Sequence, residues 1–242
     1  MGSPVKDSDI GLSQIIDKYM SKTTGLKEHC ARCLETKRWS GSVVLMVVDA
    51  AFTSIGLNYF TAVVPSVMKF EKELMTNGKV RTLGDLSTIQ LAQVQSIWKN
   101  RRSWETARSI ASYLHELAIA EGLNDREALR RWAGSSCLER WKDDAIGKIS
   151  GVGITTLQYL RMMGGIDTAM PDKIVRRVVR QTLDESGVDM PVEKDLELIN
   201  TIEYIARLSG YRPIEICWMT WMIQPEGNLI RMQKYRELLS RI

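Results

Sequence analysis

Apolar side chains recur at helical spacing along nearly the whole chain, which predicts an all-α protein. Ser8 to Met20 sets Ile10, Leu12, Ile15, Ile16 and Tyr19 in a first helix. Ser42 to about Leu57 is apolar almost all round, so it predicts a buried core helix; it is too short for a membrane span and contains Asp49. Further helices are predicted over Pro65 to Met75, over Ser87 to Ile97, and in the segment WKNRRSWETARSIASYLHELA. Asp125 to Trp132 and Ser135 to Ile146 follow, and Trp141, Ala145, Ile146 and Ile149 give the apolar side of a helix that runs into a Gly-Val-Gly turn. Beyond the turn, Ile154 to Met163 keeps Leu157, Leu160 and Met163 along one side. Asp172 heads a basic helix, Pro191 to Ser209 forms another that Gly210 ends, Pro213 opens IEICWMTWMIQ, and Leu229 to Ile242 predicts a last helix.

Composition narrows the class only a little. The 242 residues are enough for one sizeable domain or two small lobes, and 44% hydrophobic with 26% charged residues is ordinary for a globular protein. A net charge of +4 suits a DNA partner without demanding one. Few cysteines and no signal-peptide pattern predict a reducing, intracellular location, in the cytoplasm or nucleus. No apolar run is long enough to span a bilayer, so no membrane partner is expected. Cys30 and Cys33 in EHCARC have a zinc-ligand spacing, but the other two cysteines, Cys137 and Cys217, are distant, so reduced thiols on a helical face are expected and no metal.

The chemistry concentrates between Ile149 and Val179, ISGVGITTLQYLRMMGGIDTAMPDKIVRRVV. Gly151 and Gly153 permit a tight turn with positive φ and close backbone approach. The first N–H groups of the helix after them lack partners within that helix and are oriented to receive an anion such as a phosphate oxygen. Pro171 suits the first turn of a helix, and Asp172 at a helix N-terminus is expected to be favoured in its ionised form. A plain glycine turn and a plain helix cap are the structural alternatives for these two features.

Hairpin, carboxylate and the seventeen residues from Thr155 to Asp172 resemble the helix-hairpin-helix DNA glycosylase superfamily, as do the aliphatic Val175 and basic Arg177 that follow. The specific part of the resemblance is Ile149 to Val179; elsewhere it rests on helix order. Asp167, in an Ile-Asp-Thr context, is the rival carboxylate, but it lies twelve residues past Thr155 with Pro171 between it and the helix. The resemblance implies a two-lobed fold with the active site in the cleft: a six-helix lobe over residues 39–165, containing the hairpin motif at about 142–164, and a second lobe from 1–38 plus 166–242 that carries the catalytic Asp172. It implies a base-excision-repair enzyme that flips a damaged or mismatched base out of double-stranded DNA and hydrolyses its N-glycosidic bond. Gly151, Val152, Gly153, Thr155, Thr156 and Lys148 would hold the DNA backbone, with a monovalent cation often shared at such hairpins. Arg101 and Arg102, in a loop before a helix, are expected to contact DNA, with Arg102 as wedge or anchor, or else to be an exposed basic loop. Asp49, Thr53, Asn58 and Trp218 are the base-pocket candidates; Asp49 equally suits pairing with an arginine, and Trp218 or Trp221 equally suits the core. His115 is expected to be structural.

Two departures refine the expected activity. Bifunctional relatives place a lysine just after the hairpin, where this chain has Thr155, and a hydroxyl cannot form an imine. A monofunctional enzyme, working as a monomer, is expected. The four closely spaced C-terminal cysteines of the iron–sulfur branches are missing, so no cluster is expected. The rival readings are a bifunctional glycosylase/lyase with a lysine elsewhere, a non-catalytic hairpin DNA-binding protein, and a helical interaction domain with an accidental glycine turn.

Overall fold

The computed structural model describes residues 7–54, 56, 58–224 and 241–242; the helix expected from Leu229 lies outside them but for its last two residues. Among the described residues, twelve α-helices form and no strand. The fold is all-α. Contacts divide the chain into two compact units, one from residues up to Arg32 with those from Asp167 onward, the other from Cys33 to Ile166.

The Cys33–Ile166 unit is built around α3 (Val43–Thr53), which Ser42 caps by accepting the Leu45 N–H. Its residues Val43 to Phe52 are all buried, as an all-round apolar sequence requires. The helix stops short of the expected Leu57. Thr53 and Ser54 turn their hydroxyls back onto the carbonyls of Asp49, Ala50 and Ala51, and Gly56 takes a left-handed φ of 69°. Against α3 pack α4 (Val64–Phe70), α5 (Leu83–Thr88), α7 (Arg101–Glu121), α8 (Asp125–Ser135) and α9 (Ile154–Met163). On α7, Trp104, Ala107, Ile110, Ala111, Leu114 and Ala118 form the buried stripe; Asn100 caps its start and Gly122, at φ 66°, ends it.

Two expected helices are absent as such. Ser87 to Ile97 is divided between α5, which a Thr82–Asp85 capping box starts earlier, and the single turn α6 (Leu91–Val94), with an extended Gln90 between them. The segment from Ser136 to Ser150, expected to be helical up to the hairpin, is a run of turns. Asp144 explains why. Its carboxylate accepts the N–H groups of Ile146 at 2.8 Å and Gly147 at 3.2 Å, and the Trp132 indole at 3.0 Å, so it diverts backbone donors that a helix would use.

The other unit holds α1 (Asp7–Met20), α2 (Leu26–Leu34) up to Arg32, α10 (Lys173–Ser186), α11 (Asp195–Ser209) and α12 (Pro213–Met222). Helix α1 packs on α10 and α11, and α12 packs on both of the latter. Tyrosine hydroxyls tie them: Tyr19 to Glu185, Tyr204 to Asp9 and Tyr211 to Asp17. Helix α11 starts at Asp195 and not at the expected Pro191, whose carbonyl instead accepts the Thr201 hydroxyl.

Asp49 is the sharpest feature of the larger unit. It is fully enclosed, and Oδ2 accepts the Trp39 indole N–H at 2.8 Å and the hydroxyls of Tyr159 at 2.8 Å and Tyr59 at 3.0 Å. The equally enclosed Arg38 guanidinium lies 3.5 Å away and donates to the Tyr59 hydroxyl at 2.6 Å. Burial pushes the Asp49 carboxyl above its usual range, while Arg38 and the three donors pull it back. The same cluster holds Trp39 and Ser40 in left-handed backbone, at φ 52° and 55°, which bulky residues rarely adopt. Asp49→Ala would strand Arg38 and release that turn. We expect a loss of about 3–5 kcal/mol in denaturant unfolding; a loss under about 1 kcal/mol would show that the pair contributes little.

Candidate functional site

The Gly-Val-Gly hairpin docks on the first half of α7. Gly151 has φ 96°, and a Cβ there would fall 2.2 Å from the Thr106 hydroxyl and 3.5 Å from Nε of Arg102. Thr106 donates that hydroxyl to the Ser150 carbonyl at 2.9 Å. Gly153 differs: its φ is −104°, outside the left-handed region expected for it, nothing lies within 4 Å of a Cβ built there, and it serves as the N-cap of α9. No side chain caps α9. Its first N–H groups therefore begin in a half-exposed loop, with Gly151 and Val152 half-buried and Gly153 exposed.

Two cations belong to this region, of which Arg102 is the one placed beside Gly151. Lys148 is exposed on the turn before it, and Arg102 is exposed on the first turn of α7. Arg101 is exposed too, but it is engaged with Glu105 at 2.7 Å. Of the two expected threonines, Thr155 is half-exposed and Thr156 is buried. Thr156 is therefore withdrawn as a surface contact: one residue further round the helix turns its side chain inward. An uncapped helix N-terminus beside lysine and arginine is an anion-accepting arrangement.

Asp172 lies in the other unit, at the N-cap of α10. Oδ1 accepts the N–H groups of Ile174 at 2.7 Å and Val175 at 2.8 Å. Oδ2 accepts the indole N–H of Trp221, on α12, at 2.8 Å. Pro171 precedes the cap and is not in the first helical turn as expected. The helix end does favour the carboxylate, but burial outweighs it. The Asp172 carboxyl is raised above its usual range by burial, with the two backbone donors, Trp221 and Lys173 opposing.

Asp167, the rival, accepts the Ile214 N–H at 3.1 Å and so fastens the start of α12. Trp218 is buried in the core, edge-on to His29 with ring centroids 4.5 Å apart, whereas Trp221 is half-exposed. Asp49 is enclosed and paired with Arg38, the arginine alternative, and so faces no open pocket. The Thr53 hydroxyl is bonded to its own helix, and the Asn58 side chain caps the next turn by accepting the Thr61 N–H. His115 packs over Gly84, as expected of a structural residue. Trp221 as a partner of Asp172 had a sequence signal only in its helical spacing from Cys217 and Gln224, which names a face but no contact.

No protein-family model, curated protein or solved structure matches the chain.

Cys30, Cys33 and Cys217 are buried and Cys137 is half-exposed. Among the described residues, no group of three or more His, Cys, Asp or Glu side chains is arranged to hold a metal ion, and no helix is long and apolar enough to cross a membrane. A cavity of about 380 Å³ between α1, α2 and α12 is lined by Asp17, Ser21, Tyr211 and Glu215 among others, and by neither Asp172 nor Trp221.

The two hairpin glycines should respond differently to alanine. Gly151→Ala combines a disfavoured φ with a collision at Thr106 and is expected to cost about 1–3 kcal/mol. Gly153→Ala meets neither obstacle and forfeits only the N-cap preference for glycine, so it should cost less, under about 1 kcal/mol. Denaturant melts of both variants check this, and equal stabilities would overturn the docking of the hairpin on α7.

Proposed function

We propose that the chain is a monofunctional DNA glycosylase of the helix-hairpin-helix type, hydrolysing the bond between a damaged or mismatched base and its deoxyribose. The observation that carries the reading is Asp172, a half-buried carboxylate held at both oxygens at the head of α10. Its interval from the hairpin is the one that the resembled superfamily uses. Cleavage of a glycosidic bond develops positive charge on the sugar, and a fixed carboxylate near C1′ stabilises that charge and orients the attacking water. The target nucleotide is flipped out of the duplex to reach it.

In this reading the two-lobed arrangement of the superfamily applies, with the hairpin on the backbone and Asp172 at the cleft. The N–H groups at Gly153, Ile154 and Thr155, with Lys148 and Arg102, receive a phosphate, and a monovalent cation shares the contact. Arg102 acts as an anchor because it stands beside Gly151. Arg101 contributes less because Glu105 already neutralises it. Thr155 offers a hydroxyl where a lyase needs an amine, so water is the nucleophile and an abasic site is the product.

A non-catalytic DNA-binding protein is the second reading. It is favoured by one observation: Asp172 satisfies α10 in the way an ordinary cap would. Excision from labelled duplexes, each with one modified base, separates the two. We expect strand cleavage only after alkali, with binding retained but excision lost in Asp172→Asn. Intact DNA binding with no excision of any base would establish the second reading.

The pH profile follows from the sign of the shift. Asp172 acts when ionised, and its folded-state pKa lies above the ordinary aspartate value. Excision should therefore fall on acidification, with the acidic limb above that of an ordinary aspartate. An acidic limb at or below an ordinary aspartate's value would remove Asp172 from the rate-limiting chemistry.

A further inference from the structure

We propose that Trp221 is the positioning residue of the Asp172 carboxylate, its indole N–H fixing the oxygen that the helix cap leaves over. The proposal rests on the glycosylase reading for its catalytic consequence, while the contact itself stands independently of that reading.

Capping α10 needs one carboxylate oxygen. Oδ1 does that work alone, with two backbone donors at 2.7 and 2.8 Å. The terminal torsion of an aspartate is broad, so a cap by itself sets one oxygen well and the other loosely. Here the second oxygen receives a donor from a different helix at 2.8 Å. The carboxylate plane is thereby set jointly by α10 and α12. Capping does not require that second contact, and core filling does not either: Trp218, one turn earlier, is the tryptophan that fills the core.

Helix α12 is itself fastened to the segment that carries the aspartate. Asp167 accepts the Ile214 N–H at 3.1 Å, the Cys217 thiol points at the Met170 carbonyl at 4.0 Å, and Gln224 accepts from Arg177 at 2.6 Å. Ile214, Cys217, Trp221 and Gln224 follow one another at helical spacing, so one face of α12 is registered against residues 167–177. Trp221 sits on that face between two tethers. Its position is inherited from backbone that cannot slide without breaking them.

The indole suits the task chemically. It donates and cannot accept, and it carries no charge, so it orients the carboxylate without neutralising it against an incoming sugar cation. Lys173, on the first turn of the same helix, is a charge that acts on Asp172; α12 presents the neutral Trp221. Burial already raises the carboxyl, and removing a donor to its ionised form raises it further.

The test is a pH titration of the ¹⁵N-labelled full chain by NMR, followed by kinetics of Trp221→Phe. The indole resonance that disappears in Trp221→Phe should shift through the Asp172 titration and stay flat in Asp172→Asn. Trp221→Phe keeps an aromatic side chain without the N–H donor; it should lower the thermal midpoint modestly and keep duplex affinity. Its kcat should fall roughly ten- to a hundredfold with KM little changed, and its acidic limb should move to higher pH. A merely structural tryptophan would leave the limb where it was. An indole resonance indifferent to Asp172, or a Trp221→Phe enzyme with wild-type kcat and pH profile, overturns the proposal. If the wild type excises no base, the glycosylase reading fails, and the indole titration still decides whether Trp221 holds the carboxylate.

Discussion

A carboxylate shut away from water determines how the larger unit is assembled. Asp49 sits in an otherwise apolar helix, where an unpaired charge is not tolerated. Its partners come from the 3₁₀ turn at Arg38–Gly41, from the π turn at Tyr59–Val63 and from α9. The donors converge on a single oxygen, so each constrains where the others can be. Tyr159 ties α9, which begins at the hairpin, to this cluster. The backbone N–H groups offered to an anion are thus held by a helix that is bonded to the centre of the core.

The hairpin is fixed a second time from its outer side. Thr106 on α7 reaches the Ser150 carbonyl, and the lack of a side chain at Gly151 lets the two backbones approach. The same approach sets Arg102 beside the turn. A residue that the sequence offered as wedge or anchor becomes an anchor in the proposed reading, because of where α7 starts.

Asp172 shows two demands met by one side chain. As a cap it needs one oxygen on backbone N–H groups, and in the proposed catalytic role it would need a definite plane and a negative charge. Burial works against the charge, and the donors restore part of it. Burial raises the carboxyl, and the indole that orients it pulls the other way.

Helix class, the buried α3 and the cap at Asp172 were legible in the sequence, whereas the caps at Ser42 and Asn100 emerged only in the structure. The legible features depend on spacing and on a side chain that satisfies its own local backbone. The turns before the hairpin were not legible, because Asp144 overrides an acceptable helical pattern by bonding Trp132, a residue twelve positions away. Neither was the inward turn of Thr156, nor which arginine pairs with Asp49, nor its two tyrosines, one of them more than a hundred residues on. The Gly-Val-Gly turn and the interval to Asp172 are properties of the chain alone. Which oxygen of Asp172 meets Trp221, and which arginine meets the hairpin, were decided by packing, since hydrogen bonds between distant segments depend on geometry that no local pattern encodes.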